Sequence, residues 1–422
     1  MKKRTFLRHL GQAVAASPLL FTHWPAGAAF DLQRPPAGPE PDFWARIRAD
    51  YDLKPEYINL ENGYYNIIPR PTLEAFLEKV RMVNYEGAYY MRTVQWENKN
   101  RISARLAAML GCPADTLVIT RNTTESLDTV IGGYPWQAGD EAIYAEQDYG
   151  AMQDHFELVA ARYGVVCKKV SVPNHPESDE QLVSLYEQQI TPRTRLLMIC
   201  HMINITGQIL PVRKICDMAH RHGVEVLVDG AHCVGQIEVD LAALDCDYYG
   251  SSLHKWLSTP LGAGILYARK EHIPKIWPLL AQHRTEPDDI NRLNHTGTHP
   301  VHTDLAIDAA IDYLEQMGLA RKEARLRYLQ RYWTDAVRGQ PGIRINTPEE
   351  PHRSGAIANV GIEGLDPSGL ARELLDDHGI YTVAIDGAGV HGCRITPNVY
   401  TTEGELDSLI AALQELADKH GP

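Results

Sequence analysis

Residues 224–232 read Val224-Glu225-Val226-Leu227-Val228-Asp229-Gly230-Ala231-His232. The apolar run that ends at Val228 predicts a buried strand. Asp229 then falls at its carboxyl end, where open α/β sheets bind their ligands. Working outward, strands and helices alternate. Strands are predicted over 116–120, 141–145, 165–172 and 195–202, with helices over 125–132, 149–163, 179–190 and 212–222 between them. Two further short strands follow over 248–253 and 264–267. This alternation predicts an α/β fold with a large, mixed but mostly parallel sheet and helices on both faces. Past Asp304 the texture changes to a long charged helical stretch, Leu305 to Val337, and then to a smaller α+β segment. The expected organisation is therefore a large ligand-binding domain over 57–303 and a small C-terminal domain over 304–422.

A second segment, Ser251-Ser252-Leu253-His254-Lys255-Trp256, places a lysine 26 residues after Asp229. Taken singly, Asp-Gly-Ala-His is a strand end with a turn, and a lysine is a surface group. Brought into one crevice by neighbouring strands, the two suit pyridoxal phosphate. The lysine forms a Schiff base with the aldehyde. The buried carboxylate keeps the ring nitrogen protonated by charge pairing. When substrate displaces it, the freed amine is placed to act as general base at Cα.

The chain has 422 residues and a net charge of −13, and 44% of its residues are hydrophobic. That composition fits a globular protein with a sizeable core. The acidic balance argues against a nucleic-acid partner, which needs a basic face. No repeat and no 18-residue apolar run occurs, so no stable membrane span is expected. Residues 1–28 carry Lys2, Lys3, Arg4 and Arg8 without an acid, then a mildly apolar stretch from Leu10 to Phe21, then Ala26-Gly27-Ala28. Those three parts in order read as a signal peptide, so a periplasmic location is expected. Lys3-Arg4-Thr5-Phe6-Leu7-Arg8 is similar to a twin-arginine signal with lysine in the first arginine position. Residues 29–56, rich in proline and polar groups, read as an N-terminal arm. The seven cysteines lack the regular spacing of a disulfide framework. His295, His299 and His302 lie close together, but no carboxylate falls between them and no metal is expected there.

Asp229, His232 and Ser252-x-His254-Lys255 together resemble the signature of the class V aminotransferases, within the fold-type I pyridoxal phosphate enzymes. The resemblance runs from about Ile58 to Leu413. Tyr57-Ile58-Asn59-Leu60-Glu61-Asn62-Gly63-Tyr64 is similar to the opening strand and turn of the isopenicillin N epimerase-like branch. The resemblance implies a homodimer with a shared active site and gives roles to particular residues. Thr123 and Thr124, at the start of a helix whose free N–H groups favour anions, would hold the cofactor phosphate. Ser252 and His254 would approach it from the lysine side. Tyr149 would stack on the cofactor face, and His232 would lie near its phenolic oxygen. Asn204 would reach the substrate carboxylate or the cofactor. Arg394 would bind the substrate carboxylate bidentately. Thr298 would reach the phosphate in the partner subunit.

The resemblance leaves the reaction branch open. With the carboxylate near the ring plane, Lys255 would remove the Cα proton, leading to transamination, racemisation or β-elimination. Cysteine desulfuration requires a nucleophilic cysteine on a loop before Arg394, and residues 361–390 contain none. The leading expectation is an exported aminotransferase-like enzyme acting on the free α-amino group of an amino acid or peptide-linked amino acid. The alternatives are an amino-acid epimerase and an oxidative tailoring enzyme for a glutamyl siderophore precursor, similar to periplasmic enzymes that act on pyoverdine. A fold relative that binds without turnover would have no need of the lysine.

Overall fold

The computed structural model describes residues 40–281 and 286–421. The signal peptide expected over 1–28, and the arm before residue 40, lie outside the described residues. The described residues hold thirteen strands, numbered in chain order. They are β1 (Ile58–Asn59), β2 (Leu117–Thr120), β3 (Glu141–Ala145), β4 (Val166–Val170), β5 (Thr194–Cys200), β6 (Glu225–Asp229), β7 (Tyr248–Ser252), β8 (Gly264–Ala268), β9 (Ile343–Ile345), β10 (Ala358–Ile362), β11 (Ile380–Tyr381), β12 (Val383–Gly387) and β13 (Val390–Ile395).

Seven strands form the large sheet in the order β2-β8-β7-β6-β5-β3-β4. All neighbours are parallel except the two that flank β8, which runs against both β2 and β7. Because β8 is the lone reversed strand, β2 runs in the same sense as the others. The carboxyl ends of β2, β5, β6 and β7 therefore share one edge of the sheet, the edge where such sheets collect ligands. The sheet is apolar because it is covered: Leu127, Val130 and Ile131 of the helix Thr123–Gly133 and Phe156 and Val159 of the helix Gly150–Tyr163 pack with Leu196, Met198, Leu227 and Leu266. Each such side chain, fully buried, contributes about 1.5–3 kcal/mol. The core thereby holds the strand ends rigidly under the site.

The C-terminal sheet is antiparallel, in the order β12-β13-β10-β9. Its core joins Val360, Cys393 and Ile395 to Leu329 and Trp333 of the helix Leu319–Val337 and to Leu406, Leu409 and Leu413 of the helix Glu403–His420. Leu60 belongs to this core, and β1 pairs in parallel with β11. The chain that leads into the large sheet thus first threads through the C-terminal layer. This carries Gly63 and Tyr64 to the site.

The structure departs from the expected elements in three of the segments read above. The helical stretch expected over 305–337 is two helices, Val301–Met317 and Leu319–Val337, broken at Gly318. Gly318 has φ of 83°, a left-handed conformation that ends a helix and that glycine adopts at little cost. The strand expected over 195–202 ends at Cys200, and Met202 instead bridges Ile209 in a turn. A helix also occupies Glu40–Arg48, within the segment read as an arm. Among the described residues, no helix is long and apolar enough to cross a membrane.

Candidate active site

A cavity of about 370 Å³ opens at the carboxyl edge of the large sheet. Asp229 ends β6, Cys200 ends β5 and Ser252 ends β7, and all three line it. Thr123, Thr124, Tyr149, Asn204, His232, His254, Lys255 and Arg394 line the same space. Thr298 does not line the cavity of its own chain. Of the histidines weighed as metal ligands, His299 pairs with Asp304 at 3.0 Å and His302 packs on Phe76.

One wall is built to receive an anion. Asn122 caps the helix Thr123–Gly133, its side chain accepting from the Glu125 N–H at 2.9 Å. The Thr123 N–H donates to Ser252 Oγ at 2.9 Å, and the two hydroxyls lie 2.7 Å apart. Helix start, hydroxyls and histidine thus converge from β2 and β7. The Nδ1 of His254 is buried without a hydrogen-bond partner among the described residues. Burial also pulls the His254 pKa down to about 4, so the ring is neutral.

Another part of the lining wants a cation. Asp229 is buried, and among the described residues its carboxylate accepts one hydrogen bond, from the Ala231 N–H at 2.9 Å. Burial pushes its pKa up, opposed by that hydrogen bond and by Lys255. A carboxylate held this way gains from a positive partner. A protonated ring nitrogen and a phosphate are what these two sets of groups fit. Tyr149, 48% exposed just before the helix Gly150–Tyr163, lines the same cavity.

Lys255 lines the same cavity. Its Nζ lies 3.0 Å from His232 Nε2, and His232 Nδ1 accepts from the indole N–H of Trp256 at 3.2 Å. An indole nitrogen only donates, so His232 Nδ1 must carry the lone pair. Burial holds His232 neutral, with its pKa well below the usual value. Its proton therefore sits on Nε2 and points at the lysine, a contact that favours the free amine over the ammonium. Burial pulls the Lys255 pKa down to about 8, Asp229 opposes that fall, and Arg394 deepens it. The main chain here is also tied down. Asn66 donates to the Lys255 carbonyl, and the buried amine of Lys322 donates to the Trp256 carbonyl.

Arg394, on β13, reaches the cavity from the C-terminal layer. Its Nε and Nη2 donate to both carboxylate oxygens of Glu61, at 3.2 and 2.5 Å. Its Nη1 donates to the main-chain carbonyl of Asn204 at 3.2 Å. The guanidinium expected to await a substrate carboxylate is thus held by a carboxylate of the same chain. Glu61, Trp256, Asn66 and Lys322 carry no role in the sequence reading. Trp256 is adjacent to Lys255, which was the one available signal for it.

The family model described as Aminotransferase class-V matches residues 72–409. Isopenicillin N epimerase from Amycolatopsis lactamdurans is 31% identical over 396 residues, covering 89% of this chain and 98% of its own length. The enzyme of the same name from Streptomyces clavuligerus is 27% identical, covering 88% and 98%. Among solved structures, a cysteine desulfurase from Escherichia coli superposes with a TM-score of 0.76 at 24% identity, covering 89% of this chain and 99% of that one.

Proposed function

The chain belongs to the class-V aminotransferase family of pyridoxal-phosphate-dependent enzymes, and from that premise we propose that it acts on the free α-amino group of an amino acid or of an amino acid linked into a peptide. Bound in the cavity, pyridoxal phosphate supplies an aldehyde for the amine and a protonated ring that takes up the electron pair left when a bond at Cα breaks. The chain's own residues do the rest. Thr123, Thr124, Ser252 and His254 would hold the phosphate, and Asp229 would hold the ring nitrogen protonated. Tyr149 would cover a ring face. Lys255 would carry the cofactor and then, as a free amine, take the Cα proton.

The observation that carries this reading is the Lys255 amine, pulled down to about 8 and hydrogen-bonded to a neutral His232 in the same cavity as Asp229 and Arg394. A base with a pKa near the working pH is both available and strong enough to act. A proton taken at Cα and replaced elsewhere leads to transamination, the reading we favour. A proton returned to Cα on the other face leads to epimerisation, and the two relatives named isopenicillin N epimerase favour that second reading. Cysteine desulfuration has no support in the site. Cys200 is the one cysteine that lines the cavity, and burial pushes its thiol well up. Cys393 is buried, donates to the Pro367 carbonyl at 3.6 Å and is pushed up to about 12.

The substrate class and setting belong to the same proposal. The order of basic, apolar and small residues over 1–28 supports export, and a glutamyl siderophore precursor is one peptide-linked substrate that an exported enzyme would meet. A fusion of residues 1–35 to a reporter that is active only outside the cytoplasm tests the first point; a silent reporter would end it. Thr298, outside its own cavity, fits a homodimer in which it serves the neighbouring site. Sedimentation of a monomer at working concentrations would remove that role.

Holoenzyme incubated with L-amino acids and γ-glutamyl peptides in deuterated water separates the chemistries. Release of a 2-oxo acid marks transamination. Deuterium entering Cα with loss of optical purity marks epimerisation. Neither outcome with any substrate would refute both.

A further inference from the structure

We propose that Glu61 is a specificity-determining residue that competes with the substrate carboxylate for Arg394. This rests on the reading of Arg394 as the substrate's carboxylate anchor. While the ion pair is closed, the site takes an amine whose Cα bears no free carboxylate. An α-amino acid enters only by displacing Glu61.

Arginine presents five N–H groups, and a carboxylate is held best by two of them in parallel. In this site the Nε and Nη2 pair is filled by Glu61, and Nη1 is engaged by the Asn204 carbonyl. Both partners of the ion pair are more than nine-tenths buried, at 8% and 6% side-chain exposure. The Tyr64 N–H adds a third donor to Glu61, at 2.9 Å. Gly63 closes over the guanidinium itself: a Cβ there would lie 2.7 Å from Arg394 Cζ. An incoming carboxylate therefore meets a cation that is already neutralised and covered.

The turn itself is fixed, which limits what can move. The Asn62 N–H donates to Thr396 Oγ1 at 2.5 Å, its side-chain amide donates to the Thr396 carbonyl at 2.7 Å, and its carbonyl oxygen accepts from Tyr400 at 2.6 Å. With residue 62 held at three points, once by its backbone N–H and twice by its side chain, opening the pair means rotating the Glu61 side chain out, not lifting the loop. Three residues on from Glu61, Tyr64 is 77% exposed and lines the cavity. The displaced carboxylate thus has solvent within reach. A substrate that brings no carboxylate leaves this arrangement intact and avoids that displacement.

The test uses holoenzyme and glutarate, a dicarboxylate without an amine, titrated by the change in cofactor absorbance. Glu61→Gln keeps the side-chain shape but removes the charge. It is expected to tighten glutarate at least tenfold over the wild type. It should also raise the kcat/KM of L-alanine relative to ethylamine by a similar factor. Arg394→Ala should abolish the gain in the Glu61→Gln background. Glu61→Asp, which keeps the charge and shortens the reach, covers the case in which the amide variant does not fold, and should fall between the two. Glutarate binding that is unchanged or weaker in both Glu61 variants, while Arg394→Ala still weakens it, overturns the competition and leaves the anchor standing. Binding that ignores Arg394→Ala in every background overturns the anchor as well.

Discussion

Replacing Trp256 with phenylalanine tests the proton placement on which the lysine depends. The indole N–H fixes His232 Nδ1 as an acceptor, and so fixes the proton on Nε2, 3.0 Å from Lys255 Nζ. Without that donor the ring can carry its proton on Nδ1 and turn a lone pair toward the lysine. A lone pair favours the ammonium form, whereas an N–H favours the free amine. A net hydrogen bond is worth about 0.5–1.5 kcal/mol, and 1.36 kcal/mol corresponds to a tenfold change in protonation, so the neutral fraction of Lys255 should fall roughly twofold to tenfold. The assay is the rate at which cofactor-free protein captures pyridoxal phosphate, followed by absorbance from pH 6 to pH 10. Wild-type capture should rise with pH and level off above about 8, where the amine is neutral. The Trp256→Phe variant should be slower by that factor below pH 8 and converge with wild type at high pH. A rate lowered equally at every pH would mean damaged packing around a fully buried tryptophan. An unchanged profile would refute the tautomer argument.

Two further outcomes follow from the same geometry. Asp229→Asn removes the charge that opposes the fall in the Lys255 pKa, so capture should shift to lower pH. Turnover should nevertheless drop by roughly tenfold to a hundredfold, since the ring nitrogen loses a charge partner worth about 1–3 kcal/mol. Loss of both together, or of neither, would contradict the assignment. Gly318→Ala forces a side chain into φ of 83° with nothing closer than Arg321 Cβ at 3.9 Å, so its cost is conformational alone. About 1–2 kcal/mol of stability should be lost in urea unfolding, with the cofactor still bound.

The sequence was most legible where chemistry and local structure coincide. Asp229 and Ser252 end strands, and Lys255 follows one of them, so reading the strands placed all three at one edge. Thr123 and Thr124 open a capped helix, a pattern visible within a few residues. Strand direction was not legible, because an apolar alternation is the same read either way; the reversal of β8 emerges only from its partners. A two-residue strand such as β1 has no period to detect, so its pairing with β11 left no trace. The Glu61–Arg394 pair joins residues 333 positions apart, and only the folded chain brings a carboxylate to a guanidinium that motif reading assigned to substrate. Gly318 was visible as a letter, but its helix-breaking role depends on a left-handed φ set by the packing of the two helices it separates.

The central claim is that Lys255, among all the lysines of the chain, carries pyridoxal phosphate. Reducing the holoenzyme with borohydride fixes the cofactor to its lysine, and digestion followed by mass spectrometry locates it. The account predicts the phosphopyridoxyl group on the peptide containing Lys255 and none in the Lys255→Ala variant. Modification of a different lysine, or of none, would contradict it.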